Sequence, residues 1–134
     1  MTKRMTTQEI FKQSSFVKAS GESWETIYAM VSALLTDTQE WRALRQNNTI
    51  FVYHIDDKQE ASVTLVNAEK PDMLKKNMLG AAQAFQKAGF KLINFETEGR
   101  QFALEIRKMG FEVDETPLAQ TNNGSTHYKV QVHV

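Results

Sequence analysis

The sequence predicts a single mixed α/β domain, and three observations carry that prediction. Its 134 residues fall in the single-domain range of roughly 100–200, enough to enclose one core. Hydrophobic residues make up 41% and charged residues 24% of the chain, the balance of an ordinary globular protein rather than a disordered or membrane-embedded one. Apolar stripes of helical period alternate with short β-branched runs, the pattern of helices laid on a sheet.

The elements follow in chain order. Thr6-Thr7-Gln8-Glu9 has capping-box spacing and predicts a short helix or turn. Gln13 to Gly21 is small and polar and predicts a connection anchored by Phe16 and Val17. Trp24, Ile27, Tyr28, Val31, Leu34 and Leu35 then form one helical stripe, with Glu22 and Glu25 at the positive end of its dipole. Asp37-Thr38-Gln39-Glu40 repeats the capping pattern before Trp41 and Leu44, so the helix is expected to break near Thr36, restart, and stop at Asn47-Asn48.

Thr49 to Ile55 and Ala61 to Val66 are β-branched and aromatic around a polar turn, and predict an antiparallel hairpin. Pro71 suits a first helical turn, and Leu74, Met78, Ala81, Phe85 and Ala88 step along one face until Gly89. Lys91 to Thr97 reads as a strand; Phe102, Ala103, Ile106 and Met109 as a helix ending at Gly110; Glu112-Val113 as the start of an extended piece. Both helices end in Gly-Phe, where the glycine can turn left-handed and the phenylalanine can pack back. Asp114 to Ser125, with Asn122-Asn123-Gly124, reads as a loop, and His127 to Val134 as a one-sided final strand.

Sixteen basic side chains offset sixteen acidic ones, and the signs balance along the chain as well as in total. A nucleic-acid partner, which draws on an excess of positive charge, is therefore not expected. Ile27 to Leu35 is far shorter than the ~20 residues of a membrane span, so neither a membrane helix nor membrane association is expected, and the polar start predicts a cytoplasmic chain. The absence of cysteine excludes disulfides, thiolate zinc sites and a cysteine nucleophile. His127 and His133 share the polar face of one strand but lie roughly 20 Å apart at ~3.3 Å per residue, so no metal site is expected. Ser14-Ser15 and Ser125-Thr126 lack the Gly-x-Ser-x-Gly context of a serine hydrolase.

The order of two helical pieces, hairpin, long helix, strand, short helix with a Gly-Phe stop and final strand resembles the GNAT acetyltransferase family. Lys3-Arg4-Met5-Thr6-Thr7-Gln8-Glu9-Ile10 looks like that family's opening strand and turn. Ala103-Leu104-Glu105-Ile106-Arg107-Lys108-Met109-Gly110-Phe111 looks like its closing helix. The resemblance implies a mixed sheet flanked by helices, and acetyl-CoA bound in a split between the strand ending at Val66 and the strand Lys91 to Thr97.

The family's glycine-rich loop lets the main chain approach the cofactor pyrophosphate at a helix N-terminus. Here that stretch is Asn67-Ala68-Glu69-Lys70-Pro71-Asp72-Met73-Leu74, without glycine. Pro71 removes a donor, and Glu69 and Asp72 place negative charge near the docking point. The resemblance leaves Val66, Asn67, Lys70 and Lys75 as candidate cofactor contacts, with Lys70, Lys75 and Lys76 able either to compensate for the acids or to form a solvated face. The family's tyrosine acid, four residues before the glycine of Gly-Phe, is replaced by Ile106, which fits the core stripe.

His54 shares a strand face with Ile50 and Val52, where it could serve as a base toward an amine or end the strand at the surface; Asp56 and Asp57 are its nearest carboxylates. Glu60 and Glu69 flank the second hairpin strand and Glu96 and Glu98 flank the next, where a carboxylate could serve as a buried base or stand solvated at a loop end. Two functions fit these residues. One is an acetyl-CoA-dependent N-acetyltransferase with a degenerate cofactor loop, acting on a small-molecule or protein amine. The other is a non-catalytic binding or structural module that engages a protein partner, as in small divergent relatives such as those encoded by bacteriophages.

Overall fold

The computed structural model describes residues 4–120 and 124–134. Lys3 of the expected opening strand, and Asn122 and Asn123 of the expected loop, lie outside the described residues. Six strands form one mixed sheet in the order β1-β2-β3-β4-β6-β5. All neighbours are antiparallel except β3 (Glu60–Asn67) and β4 (Leu92–Glu98), which run parallel because the helix α4 (Pro71–Lys87) carries the chain back between them.

Arg4 and Met5 form no strand, and the chain enters directly into α1 (Thr7–Gln13). Thr6 Oγ1 accepts the Glu9 amide at 3.2 Å while the Thr6 amide donates to Glu9 Oε1 at 3.3 Å, which completes the expected capping box. The expected connection after it contains a second short helix, α2 (Ser15–Ala19). Its anchor is Val17, 2% exposed, whereas Phe16 is 45% exposed.

Helix α3 (Trp24–Asp37) carries the predicted stripe, capped by Ser23. It does not restart. The Thr38 hydroxyl donates to the Leu34 carbonyl at 2.8 Å and accepts the Trp41 amide at 3.3 Å, so the Asp37–Glu40 motif closes one helix and turns the chain outward instead of opening another. Trp41–Gln46 is strand β1, paired in register with β2 (Thr49–Asp57). Asn47 takes a positive φ of 52°, which asparagine tolerates in a two-residue hairpin turn. Pairing energy outside the local window overrides the helical reading of Trp41 and Leu44.

The predicted hairpin is β2 with β3, the long helix is α4, and the next strand is β4. Gly89 has φ +98°; its amide donates to the Gln86 carbonyl and that of Phe90 to the Phe85 carbonyl, a complete Schellman stop. Gly110, at φ +97°, ends α5 (Gln101–Lys108) in the same left-handed conformation. Beyond it, β5 (Glu112–Gln120) extends well into the expected loop. Its polar residues and Pro117 gave no strand signal, but β5 is the edge of the sheet, where proline and polar side chains are tolerated. The last strand, β6 (Thr126–His133), pairs with both β4 and β5.

Two cores lie on opposite faces of the sheet. α4 and α5 cover one face through Ala81, Phe85, Ala103 and Ile106, packed on Phe51, Ala61, Val63, Ile93, Phe95, Val130 and Val132. The helices α1, α2 and α3 bury Ile10, Phe11, Val17 and Ile27 against Ile50, Val52 and Val66 on the other. Trp24 is only half-buried at the margin of this second core, less than its place in the stripe implies. On that second face β4 and β6 present polar side chains, among them Asn94, Glu96, Lys129 and Gln131.

Candidate functional site

Strands β3 and β4 pair only at Glu60–Leu92, Ala61–Ile93 and Ser62–Asn94. Beyond Ser62 and Asn94 they part, so the edges of Val63–Asn67 and Phe95–Glu98 that face each other carry no ladder partners. The last paired position heads a row that crosses the sheet: Trp41 opposite His54, His54 opposite Ser62, Ser62 opposite Asn94, and Asn94 opposite Gln131. Side chains at successive cross-strand positions share a face.

A bulge between Ile55 and Asp57 frees Asp56 from the ladder and turns its carboxylate back over this row. Asp56 Oδ1 lies 2.7 Å from His54 Nδ1, and Ser62 Oγ donates to Asp56 Oδ2 at 2.5 Å. Burial works against the Asp56 charge, but hydrogen bonds from Ser62, His54 and Asn94 outweigh it and hold the carboxyl below its ordinary value. The Trp41 ring sits 5.1 Å from the imidazole. Next to this group, Glu60 Oε2 accepts Asn94 Nδ2 at 2.5 Å and Gln131 Nε2 at 3.3 Å. Asn94 is 4% exposed, and its Oδ1 has no hydrogen-bond partner among the described residues.

His54 thus has a carboxylate that orients it. With Nδ1–H donated to Asp56, Nε2 is left as the basic nitrogen, and the side chain is 36% exposed to solvent. His133 is held apart from it, with Nε2 2.7 Å from Asp114 Oδ2, which raises its affinity for a proton. Among the described residues no cluster of three or more His, Cys, Asp or Glu could hold a metal ion, and no helix is long and apolar enough to cross a membrane.

The loop before α4 is built differently. Asn67 Oδ1 accepts the Glu69 amide at 3.0 Å and the Thr49 hydroxyl at 2.7 Å, while Asn67 Nδ2 donates to the Glu69 carbonyl at 3.0 Å. The Ala68 amide donates to the Asn48 carbonyl. Glu69 turns its carboxylate inward, where Asn77 Nδ2 reaches it at 3.2 Å and Asn48 Nδ2 at 3.5 Å. The amides of Ala68 and Glu69 are therefore occupied by acceptors of the protein itself, and the Glu69 carboxylate is held by Asn48 and Asn77.

Of the residues singled out from sequence, the Val66 side chain is buried in the core under α1 to α3, and the Asn67 side chain braces its own loop. Lys75 Nζ pairs with Glu105 Oε2 at 3.1 Å across to α5. Lys70 is exposed at the N-cap of α4, where no side chain caps the helix and Pro71 at its first position has no amide to donate. Ile106 is 3% exposed in the core, as its place in the stripe implies. Sequence reasoning missed Trp41, Ser62, Asn94 and Gln131. Only tertiary pairing assembles that row, and no local spacing could have signalled it.

Comparison with protein-family descriptions and with curated protein sequences finds no match. Solved structures do match. A SpeG–hSSAT chimeric spermidine N-acetyltransferase from Vibrio cholerae aligns over 99% of this chain and 95% of its own, with TM-score 0.64 at 11% identity. The ribosomal-protein-S18-alanine N-acetyltransferase from Escherichia coli aligns over 98% and 90%, with TM-score 0.58 at 14% identity. A GNAT family acetyltransferase from Elizabethkingia anophelis with acetyl-CoA bound aligns over 98% and 92%, with TM-score 0.53 at 10% identity. The fold is the GNAT fold. At these identities the likeness extends to architecture, and chemistry has to be argued from the GNAT scaffold's own residues in this chain.

Proposed function

We propose that this domain transfers an acetyl group from weakly held acetyl-CoA to an amine, with His54 as the base. The observation that carries this reading is the row Trp41, His54, Ser62, Asn94, Gln131 at the last paired position before β3 and β4 part. It places an Asp56-oriented imidazole about one strand spacing, ~4.8 Å, from the strand that borders the split.

The residues present fit acetyl-CoA in part. The unpaired facing edges of β3 and β4 offer main-chain groups to an amide-bearing chain. Lys70 and the first amides of α4 would meet its phosphates. The amides of Ala68 and Glu69 are already spent. At ~1.5–3 kcal/mol per charge-assisted hydrogen bond, two missing contacts weaken binding by roughly two to four orders of magnitude. Bound acetyl-CoA would supply an activated carbonyl and a thiol leaving group. His54 Nε2 would take the proton released as the amine nitrogen attacks, and Asp56 would stabilise the resulting imidazolium. With Ile106 where the tyrosine acid would stand, the departing sulfur would take its proton from solvent.

The buried Ile106 and the braced loop favour a second reading, a non-catalytic module that binds a protein partner. Thiol release from millimolar acetyl-CoA with a primary amine decides between the two. The transferase reading expects release that falls about a hundredfold in His54→Ala, within the range of general-base contributions. Wild-type release no faster than in His54→Ala, with folding intact, would leave the module reading standing.

A further inference from the structure

Helix α3 meets the sheet incompletely. Between it, α1 and the outer strands β1 and β2 lies a cleft of about 280 Å³, close to the lower end of the roughly 300–1,000 Å³ typical of small-molecule sites. Phe11, Tyr28, Val31, Leu35 and Val52 supply apolar walls, with Ser32 on α3 at its lining. It lies over β1 and β2, at the edge of the sheet opposite β5, and its lining shares no residue with the His54 row.

One residue in this lining is charged. Arg45 Nε donates to the Asn47 carbonyl at 2.6 Å, and Nη2 donates to the Met5 carbonyl and to Asn48 Oδ1. All three acceptors are neutral. Among the described residues no carboxylate lies within ion-pair distance of Arg45, and no hydrogen bond uses Nη1. Burial and the nearby Arg4 both act against its charge. A half-buried guanidinium with a free N–H pair, at the wall of an apolar cleft and without an anionic partner, is an unusual arrangement, since buried charges are normally paired. The ligand that completes it has an apolar body to fill the cleft and one anionic group whose oxygen accepts a charge-assisted hydrogen bond from Nη1.

We infer that the α3–β1–β2 cleft binds a small carboxylic acid with an aliphatic chain, its carboxylate on Arg45 and its chain among Tyr28, Val31, Leu35 and Val52. The inference is independent of acetyl transfer, because it needs neither His54 nor the split between β3 and β4.

Decanoate and decylamine, each below micelle-forming concentration, test it on the intact protein by their effect on the thermal midpoint. They share a chain and differ in the sign of the head group. A ligand that binds only the folded state raises the midpoint by mass action. Decanoate should raise it in a saturable way and decylamine should not. Arg45→Gln should weaken the decanoate response by roughly tenfold or more. Because Arg45 also ties down Met5 and Asn48, Ser32→Phe provides a second variant, which fills the cleft and leaves Arg45 in place; it should abolish the response. Equal shifts with decanoate and decylamine, no shift with decanoate, or an undiminished shift in Ser32→Phe would each overturn the assignment.

Discussion

Two polar networks sit at opposite ends of β2 and β3, and they are closed to different degrees. At the start of α4, Asn48, Thr49, Asn67, Glu69 and Asn77 spend their groups on one another, and Asn48, Thr49 and Asn77 are at most 2% exposed. At the head of the split, Asp56 and Glu60 gather His54, Ser62, Asn94 and Gln131, yet His54 stays 36% exposed and Asn94 Oδ1 is left unsatisfied. The closed network satisfies its own groups; the open one leaves an imidazole open to solvent and a buried amide oxygen without a partner among the described residues.

The largest effect should come from breaking the closed network at its centre. Asn77 donates to Thr49 and Glu69 and accepts from Asn47 Nδ2 at 2.7 Å. Asn77→Leu fills the space but removes a donor from both the Glu69 carboxylate and the Thr49 hydroxyl and leaves the Asn47 amide without its acceptor, and should lower unfolding free energy by about 2–4 kcal/mol in chemical denaturation. A loss under about 0.5 kcal/mol would mean that the network is incidental and the contrast false.

Gly110→Val should cost less, about 1–2 kcal/mol, because nothing lies within 4 Å of an added Cβ and only the left-handed backbone resists it. Gly110→Asn should recover most of that, and equal midpoints for Gly110→Val and wild type would contradict the stop. These endings were legible because they are local: a glycine, a phenylalanine and the helix before them contain the whole signal. The stripes of α3 and α4 and the hairpin of β2 and β3 were legible for the same reason. Strand β1 was not, because Thr38 satisfies a capping pattern and a helix ending equally well, and only the partner strand decides. The site divides likewise. His54 and its nearby Asp56 could be noticed two residues apart, whereas Ser62 and Asn94 meet across a parallel pairing with all of α4 between them. The inward turn of Glu69 was invisible too, since it depends on Asn48 and Asn77 from other elements.

Glu115 offers a third carboxylate that sharpens the contrast, because it is closed by charge rather than by amides. Hydrogen bonds from Arg100 and Arg107 overcome burial and hold its carboxyl down to about 2. A depressed value means that the clamp's contribution is complete above the unfolded glutamate range, near 4.3, and fades as the pH falls toward 2. With solvent screening, Glu115→Gln should cost about 0.5–1 kcal/mol at pH 7. The gap between variant and wild type should narrow steadily between about pH 5 and pH 2, and a gap unchanged across that window would show that the clamp adds nothing through its charge.

The smallest stability effect is expected where the open network is touched. Ser62 Oγ donates to Asp56 Oδ2, and Ser62→Ala removes that donor while Asp56 keeps His54 Nδ1 and the Asn94 amide beside it. The side chain of Asp56 is 32% exposed, so water can replace the lost donor and neutral-pH stability should change by less than about 0.5 kcal/mol. The titration should nevertheless move. Asp56 lies below its ordinary value because hydrogen bonds to its charged form outweigh burial, and with one fewer bond its value should rise toward the usual carboxylate range. By linkage, the wild-type contribution of Asp56 is present above the unfolded aspartate range and lost as the pH falls through the folded value, so Ser62→Ala should lose stability in acid over a narrower range. Carboxyl chemical shifts followed against pH in both proteins measure this at the residue itself. An unmoved Asp56 titration in Ser62→Ala would show that the serine does not hold the carboxylate, and the orientation of His54 would then rest on the bulge alone.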